Sequence, residues 1–315
     1  GGYYDHPELM DEVRTLNRLA QAAATVNRSS ISQILVVSDE DSCSYMTFRS
    51  NVLGSTLLDT QHQLIKIGAP ADHVLLSDLD RLDVTRYRLV IFLNTYHMTT
   101  AQRQTVRDKL LRDGRHILWC YAPGYFEGNT ASVDAMLQLT GIPITPDAEG
   151  GTKPLQIRIT HELTGMAGTV VGPGGVKGQS FMAVDPESEV WGRSPDSAQP
   201  VLVRKDMGAW TSWYSVTAVL PAALYRCFAE QAGVHVFNRH DDTLYANRSF
   251  LTVHGNGEGL RTLRFPPGSR VADAITGELL LDRGQELTIA MQDGETRILR
   301  WQEPARLEGE APKQP

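Results

Sequence analysis

Residues Arg88–Phe126 read RLVIFLNTYHMTTAQRQTVRDKLLRDGRHILWCYAPGYF, a pattern of strand, turn, helix, strand and second turn. The segments Arg88–Asn94 and Arg115–Tyr121 are near-continuous apolar runs, which is typical of strands buried on both faces of a parallel sheet. Between them, Thr99 begins a capping-box pattern at a helix start, and Gly114 suits a left-handed cap at its end. The stretch therefore predicts one strand–helix–strand unit of an open α/β sheet.

The turns after these two strands are where a functional site is expected. Ligands of open α/β sheets bind beyond the carboxyl ends of the strands. Asn94–Thr99 and Tyr121–Phe126 are both predicted to lie at that edge. The residues in these two turns therefore decide whether the chain carries chemistry of its own.

The flanking sequence extends the same alternation of strands and helices. The predicted order is α-β-α-β-β-α-β-α, which favours a doubly wound, flavodoxin-like parallel sheet. The elements on which this rests are a helix at 6–26, a strand at Ile31–Asp39, a helix at Arg49–Ile67, a strand at Asp72–Ser77 and a helix that ends at Gly141.

The texture of the sequence changes twice after this region. Over about 145–215, Gly and Pro are dense and the apolar segments short, which predicts a β-rich, antiparallel extension. A helix at Pro221–Ala232 closes a first domain of residues 1–232. Seven short alternating segments at 233–303 then predict a small antiparallel β-sandwich, and the polar stretch 304–315 predicts a tail or linker.

Composition excludes several classes of function. With 315 residues, 41% hydrophobic and 21% charged, the chain suits a two-domain globular protein. A net charge of −7 gives no basic field for nucleic acid or anionic membrane. No apolar run approaches the roughly 18 residues of a membrane span, and the polar start is no secretory signal. We therefore expect a soluble, cytoplasmic protein. Because the chain starts without Met, we expect a tag remnant, a processed form or a piece of a longer polypeptide.

Acidic residues follow the first predicted strand in the sequence SDEDS. Asp39 and Asp41 are candidate Mg²⁺ ligands, although such a site needs a further acid at the end of a later strand. The alternative is that these residues cap the following helix and interact favourably with its dipole. No cofactor is predicted.

Cys120 is the candidate nucleophile. The other two cysteines, Cys43 and Cys227, complete a set that predicts neither a disulfide framework nor a metal knuckle. A catalytic cysteine on this fold would occupy a tight strand-to-helix turn with small neighbours, whereas Cys120 stands between Trp119 and Tyr121. A buried cysteine in a strand is the alternative interpretation.

Aromatic side chains accumulate at the predicted edge of the sheet. Such side chains stack on sugars, form protein interfaces or simply fill a core. The candidate binding residues are Tyr96, His97, Tyr121, Tyr125 and Phe126.

Two further motifs suggest structure rather than chemistry. His161 and Glu162 are adjacent in an extended segment, so they point to opposite faces and do not readily form one acid–base pair. The loop Gly172–Gly178, GPGGVKG, lacks the residue order of a phosphate loop.

Several segments recur in a known order: GYYDHPELMDEVRTLNRLA, ISQILVVSD, RLVIFLN, RHILWCYAPGYF, ITHELTG and the stretch from AEQAGVHVFNRHDD to ETRILRW. Their order resembles the region of family 42 β-galactosidases and related glycosidases that follows the catalytic barrel. The resemblance implies a class I glutamine-amidotransferase-like "trimerisation" domain followed by a β-sandwich. It also implies that the catalytic glutamates belong to an absent TIM barrel and that the amidotransferase triad is degenerate.

Three functions follow as hypotheses. The first is a non-catalytic accessory region of a multidomain glycoside hydrolase, whose partners would be a catalytic TIM barrel or copies of itself. The second is a stand-alone amidotransferase-like hydrolase that uses Cys120. The third is a carbohydrate-binding module. None of them involves nucleic acid or a membrane.

Overall fold

A computed structural model describes residues 6–47, 51–147 and 152–303. The chain forms two compact units. The larger comprises residues 32–236, and the smaller comprises the described residues before 32 and after 236. The sequence pattern assigned the first helix to the larger domain, whereas it groups here with the smaller unit. The predicted tail at 304–315 and the predicted helix start at Arg49 lie outside the described residues.

The helices lie close to their predicted positions. Within the segment 51–64, two α-helical turns flank a π-helical turn, Ser55–Asp59. No helix among the described residues is long and apolar enough to cross a membrane. The helices are α1 (Pro7–Ala24), α2 (Asn51–Gly54), α3 (Thr60–Leu64), α4 (Thr100–Leu110), α5 (Val133–Thr140) and α6 (Ala222–Gln231).

The larger unit is a mixed α/β structure. Its strands are β1 (Ile34–Ser38), β2 (Ala71–Leu75), β3 (Leu89–Phe92), β4 (His116–Cys120), β5 (Phe126–Glu127), β6 (Thr130–Ala131), β7 (Ile144–Pro146), β8 (Lys153–Pro154), β9 (Ile157–Ile159), β10 (Val170–Val171), β11 (Lys177–Gly178), β12 (Phe181–Ala183), β13 (Glu189–Arg193), β14 (Pro200–Asp206) and β15 (Thr211–Ser215).

One large sheet runs through this unit. Among the described strands its order is β10, β9, β13, β14, β15, β4, β3, β1, β2. From β15 to β2 each neighbouring pair is parallel, and from β15 to β10 each pair is antiparallel. The predicted β-rich extension therefore continues the parallel sheet, and its last strand, β15, pairs in parallel with β4. Every residue of β3 and β4 is buried, as their apolar runs predict.

The segment between β3 and β4 follows its predicted start closely. The Thr99 side chain accepts from the Gln102 N–H, and the Gln102 side chain accepts from the Thr99 N–H, which forms the predicted capping box. Helix α4 ends at Leu110, earlier than the predicted Gly114. The reversal before β4 takes two left-handed residues in succession, Asp113 (φ 60°) and Gly114 (φ 68°).

The smaller unit is antiparallel, and its architecture corrects the predicted seven-segment sandwich. Five strands form a single sheet in the described residues, in the order β16, β17, β20, β18, β19. Two predicted strands merge into one, because the PPGS segment stays extended and shifts register between Arg264 and Ser269 instead of turning. The predicted strand at Val234–Arg239 does not form. The strands are β16 (Thr243–Ala246), β17 (Phe250–His254), β18 (Gly259–Asp273), β19 (Leu279–Met291) and β20 (Thr296–Gln302).

Each unit has its own apolar core. The core of the larger unit includes all of β3 and β4 together with Trp191 and Trp213. Among the described residues, the core of the smaller unit contains eleven buried side chains, including Phe265 and Trp301. Two separate cores are consistent with two units that each bury their own apolar surface.

Candidate functional site

The carboxyl ends of β1 and β3 are joined by two buried side chains. The Asn94 side chain donates to the Asp39 carbonyl oxygen over 2.6 Å and accepts from the Asp39 N–H over 2.9 Å. Asp39 turns back and accepts from the Ser42 N–H over 2.7 Å. The amide of Asn94 thus satisfies two backbone groups that the ends of parallel strands leave open. These bonds fix the first turn of the predicted site.

The two candidate metal ligands, Asp39 and Asp41, differ in exposure. Burial raises the pKa of Asp39, although the hydrogen bonds from Ser42 act against this rise. Asp39 is 3% exposed, whereas Asp41 lies on the surface. Among the described residues no group of three or more His, Cys, Asp and Glu side chains could hold a metal ion. In this arrangement the Asp39 carboxylate acts as a cap on the following turn, the alternative role that the sequence left open.

Ser42 joins the first turn to the one that follows β3. Its hydroxyl accepts from the His97 N–H over 2.9 Å. The His97 ring stacks on Tyr45 with centroids 4.8 Å apart and planes 7° from parallel, and Phe126 lies 5.0 Å from Tyr45. Tyr45, His97 and Phe126 are half-buried, and we call this group the rim cluster. The sequence did not single out Ser42 or Tyr45, because only the fold brings them against a turn more than fifty residues away.

The strand β4 places Cys120 inside the sheet and Tyr121 at its tip. Cys120 is fully buried, and burial raises the pKa of its thiol far above the ordinary value. Tyr121 follows it with φ 65°, in the left-handed region that non-glycine residues rarely adopt. The strained position after β4 is therefore occupied by a tyrosine, and burial raises the pKa of its hydroxyl to about 12.

The other predicted aromatic residues divide into core and surface. Tyr96 is buried, and it contacts Tyr121 edge-on at 5.4 Å. Tyr125 and Phe126 are half-buried and pack edge-on at 5.1 Å, and Tyr125 also contacts Phe181 at 5.1 Å. Of the five predicted binding residues, His97, Tyr125 and Phe126 thus have surface to offer a ligand or partner.

A buried arginine that the sequence did not reveal holds the two turns together. Arg103 of α4 donates to the carbonyl oxygens of Met98 (3.2 Å), Gly124 (2.6 Å) and Phe126 (3.3 Å). Its fourth acceptor is the Ala135 carbonyl oxygen, at 3.1 Å. Burial lowers the pKa of Arg103, and the charge of Glu127 acts in the opposite direction. With four carbonyl acceptors, the Arg103 guanidinium ties the turns after β3 and β4 to the start of α5.

The two motifs interpreted as structural take such positions. The His161 Nδ1 accepts from the Leu163 N–H, while Nε2 lies 3.0 Å from Glu189 and the ring stacks on Trp191 at 3.9 Å. This arrangement caps the short 3₁₀ turn at Glu162–Thr164. The Gly172–Gly178 loop passes near α2 and Tyr121, because a Cβ on Gly178 would lie within about 3 Å of both Val52 and Tyr121.

Comparison with known proteins gives similarity of fold. No family model matches the chain, and no curated protein matches it. A β-galactosidase from Bacillus circulans sp. alkalophilus superposes with a TM-score of 0.68 at 17% identity, over 94% of this chain and 45% of that enzyme. A family 42 β-galactosidase from G. stearothermophilus gives 0.64 at 13% identity, over 93% and 43%. The enzyme from Rahnella sp. R3 gives 0.65 at 13% identity, over 93% and 44%.

This chain has the fold of the C-terminal region of these β-galactosidases. The resemblance noted in the sequence is thereby confirmed at the level of the fold. The chain spans less than half the length of each of these enzymes.

Proposed function

We propose that this chain is a non-catalytic accessory and assembly region of a multidomain glycoside hydrolase. The observation that carries the proposal is the shared fold, which extends over nearly all of this chain and less than half of each β-galactosidase. In each of those β-galactosidases the matching region is one part of a larger enzyme. Its role here would be to support oligomerisation and the catalytic cleft of that enzyme.

The chemistry of the strand edge supports a role without catalysis. Catalysis by a cysteine requires a thiolate, and Cys120 is sealed in β4 with a raised pKa. Tyr121 takes the left-handed position after β4, with a hydroxyl that is not acidic enough to act as a nucleophile near neutral pH. The alternative, a hydrolase that uses Cys120, lacks the geometry that would favour it.

We further propose that the larger unit is a flavodoxin-like, amidotransferase-like sheet. The order of its parallel strands supports this assignment, since β2, β1, β3, β4 and β15 follow the sequence 2-1-3-4-5 of that fold. In this interpretation the rim cluster stands where ligands bind in functional members of the fold. The half-buried rings of Tyr45, His97 and Phe126 would then serve as a contact surface.

The proposed partners are a catalytic barrel of the same enzyme or further copies of this chain. A location in the cytoplasm belongs to the same proposal, and the three unpaired thiols support it. A carbohydrate-binding role has less support. Among the described residues, Tyr245 is the only large aromatic side chain that is exposed. A sugar platform needs open ring faces, and one face of Tyr45 is covered by His97.

The test uses the complete reading frame that encodes this chain. It would be expressed whole and with residues 32–303 removed, beside the 315-residue chain alone. Hydrolysis of nitrophenyl β-galactoside and the mass from light scattering would be measured for each. We expect activity and oligomers from the whole product, loss of assembly on removal, and no hydrolysis by the chain alone. Hydrolysis by the chain alone that disappears in Cys120→Ser would contradict the proposal.

A further inference from the structure

The outer face of the sheet in the smaller unit carries two arginines and an amide side by side. Arg270 of β18 lies opposite Gln302 of β20, and Ala272 lies opposite Arg300. Opposite residues of an antiparallel pair share a face, so these four side chains stand together. The residues between them point to the other face and are buried there: Val271, Leu299 and Trp301.

Ala272 forms the floor of a hollow between the longer side chains around it. The hollow has a volume of about 350 Å³, at the lower end of the range for small-molecule sites. Leu279 of β19 pairs with Ala272 from the side away from β20, and it is exposed, so it forms an apolar wall. A small residue between two arginines and a leucine thus leaves room for part of a ligand.

The turn beside the hollow is fixed by hydrogen bonds. Asp273 Oδ1 accepts from the N–H groups of Ile275 and Thr276, each over 2.8 Å. The Gly277 N–H donates to the Asp273 carbonyl oxygen over 2.9 Å, and Gly277 lines the hollow. The wall at this end is therefore preorganised, which reduces the ordering cost of binding.

The arginines of the two strands differ in whether the chain neutralises them. Arg300 is exposed, and it has neither an ion pair nor a side-chain hydrogen bond to another described residue. Arg270 lies 2.9 Å from Asp282, but both side chains of this pair are more than half exposed, so the pair is weak. Ion pairs with acidic side chains are made by the other arginines of β18 and β20, Arg261, Arg264 and Arg297.

We infer that this hollow binds an oxyanion, the carboxylate or phosphate group of a small ligand. Arg270 and Arg300 are diagonal neighbours across the strand pair, roughly 7–8 Å apart, so both long side chains can reach one group. A guanidinium presents a planar fork of donors that matches the oxygens of either anion. The Gln302 amide adds a neutral donor. The inference concerns the smaller unit alone and does not rest on the proposed function.

The test titrates the isotope-labelled chain with inorganic phosphate and, separately, with acetate. Nuclear magnetic resonance would follow the backbone amide signals of residues 270–272 and 300–302. We expect saturable shifts with dissociation constants of about 1–10 mM, as for two charge-assisted contacts on an open surface. Tighter binding of phosphate or of acetate would support the site and identify which anion it takes. Shifts no larger than those in chloride at the same ionic strength would overturn the inference, because they would report only screening.

Arg300→Gln removes the unpaired guanidinium from an exposed position, so the fold should persist. The dissociation constant should rise about ten-fold, the equivalent of one charge-assisted contact. Arg264→Gln is the matched control, because Arg264 is an exposed arginine of β18 that pairs with Glu286 and does not line the hollow. It should leave the dissociation constant unchanged. Equal weakening in both variants would overturn the inference, since a general positive field would then explain the binding.

Asp282→Asn tests whether Arg270 takes part. A ligand must compete with the Asp282 carboxylate for Arg270, so loss of that carboxylate should tighten binding roughly two- to five-fold. Glu286→Gln removes the same charge from an exposed position of the same strand and should have a smaller effect. Unchanged binding in Asp282→Asn, or equal tightening in the two variants, would contradict a site built from both arginines.

Discussion

At the scale of single residues, the turns at the carboxyl ends of the strands are held by buried polar side chains that hydrogen-bond to backbone groups. Asn94 satisfies both backbone groups of Asp39, and Arg103 satisfies four carbonyl oxygens of the turns around it. Position 124 requires glycine for two reasons. Its φ is 60°, and a Cβ there would lie 2.7 Å from the Arg103 guanidinium. The turns around the rim cluster are therefore held in place by buried polar side chains.

Arg103→Leu tests this interpretation. It leaves several buried carbonyls without a donor, so we expect the free energy of unfolding to fall by about 2–4 kcal/mol. Hydrogen exchange at residues 122–127 should accelerate. Arg107→Leu, one turn later on the same helix and half-buried, is the control and should cost under about 0.5 kcal/mol. A similar loss in both variants, measured by urea denaturation, would show that the four carbonyl contacts are not what stabilises the rim.

At the scale of elements, the start of helix α4 is set by local chemistry. Helix α4 begins at a reciprocal capping box between Thr99 and Gln102, close to the rim cluster. Thr99→Ala should cost about 1 kcal/mol of unfolding free energy, because the Gln102 N–H loses its acceptor.

Thr105→Ala serves as the comparison for the capping variant. Thr105 lies within the same helix, where alanine has the higher helix propensity, so this change should be neutral or slightly stabilising. Thermal unfolding followed by circular dichroism measures both changes. Equal midpoints for the two variants would mean that the cap does not stabilise the helix start.

At the scale of the whole molecule, a buried ion pair makes the stability of the smaller unit depend on pH. Asp242 and Arg261 form a buried ion pair in the smaller unit, with Nε and Oδ2 2.7 Å apart. Burial by itself raises the pKa of Asp242. Hydrogen bonds from Arg261, the Asn256 N–H and Asn238 outweigh burial and hold that pKa below its usual value. The stabilisation is therefore complete above the unfolded pKa near 4 and is lost as pH falls through the lower folded pKa.

Asp242→Asn should lower the stability of the smaller unit by about 3–5 kcal/mol at pH 7, because it leaves the Arg261 charge buried without its partner. It should also reduce the loss of stability below pH 4. Asp282→Asn removes a partner from an exposed pair with Arg270, and we expect at most about 1 kcal/mol. Hydrogen exchange of peptides from 237–303 between pH 7 and pH 3 measures both. An unchanged acid dependence in Asp242→Asn would assign that dependence to other carboxylates.

The sequence by itself determined the helices and the first four parallel strands of the larger unit, and the edge where a site would lie. The apolar runs of β3 and β4, the capping box at Thr99 and the glycine after α5 are local signals, and each is readable within a few residues. A parallel strand that is buried on both faces is apolar at nearly every position, so it can be recognised from its own residues. For the same reason the fold resemblance could be stated from the order of segments.

Only the tertiary structure decided what stands at that edge. That Cys120 ends the buried strand and Tyr121 occupies the turn after it depends on where β4 stops and on the left-handed conformation of Tyr121, which Ser215 and Tyr214 maintain from β15. The roles of Ser42, Tyr45 and Arg103 depend on partners in other turns. The merging of two predicted strands into β18 likewise follows from pairing with β19 and β20. Periodicity records which face of a segment is buried, whereas contacts between distant segments determine which groups meet.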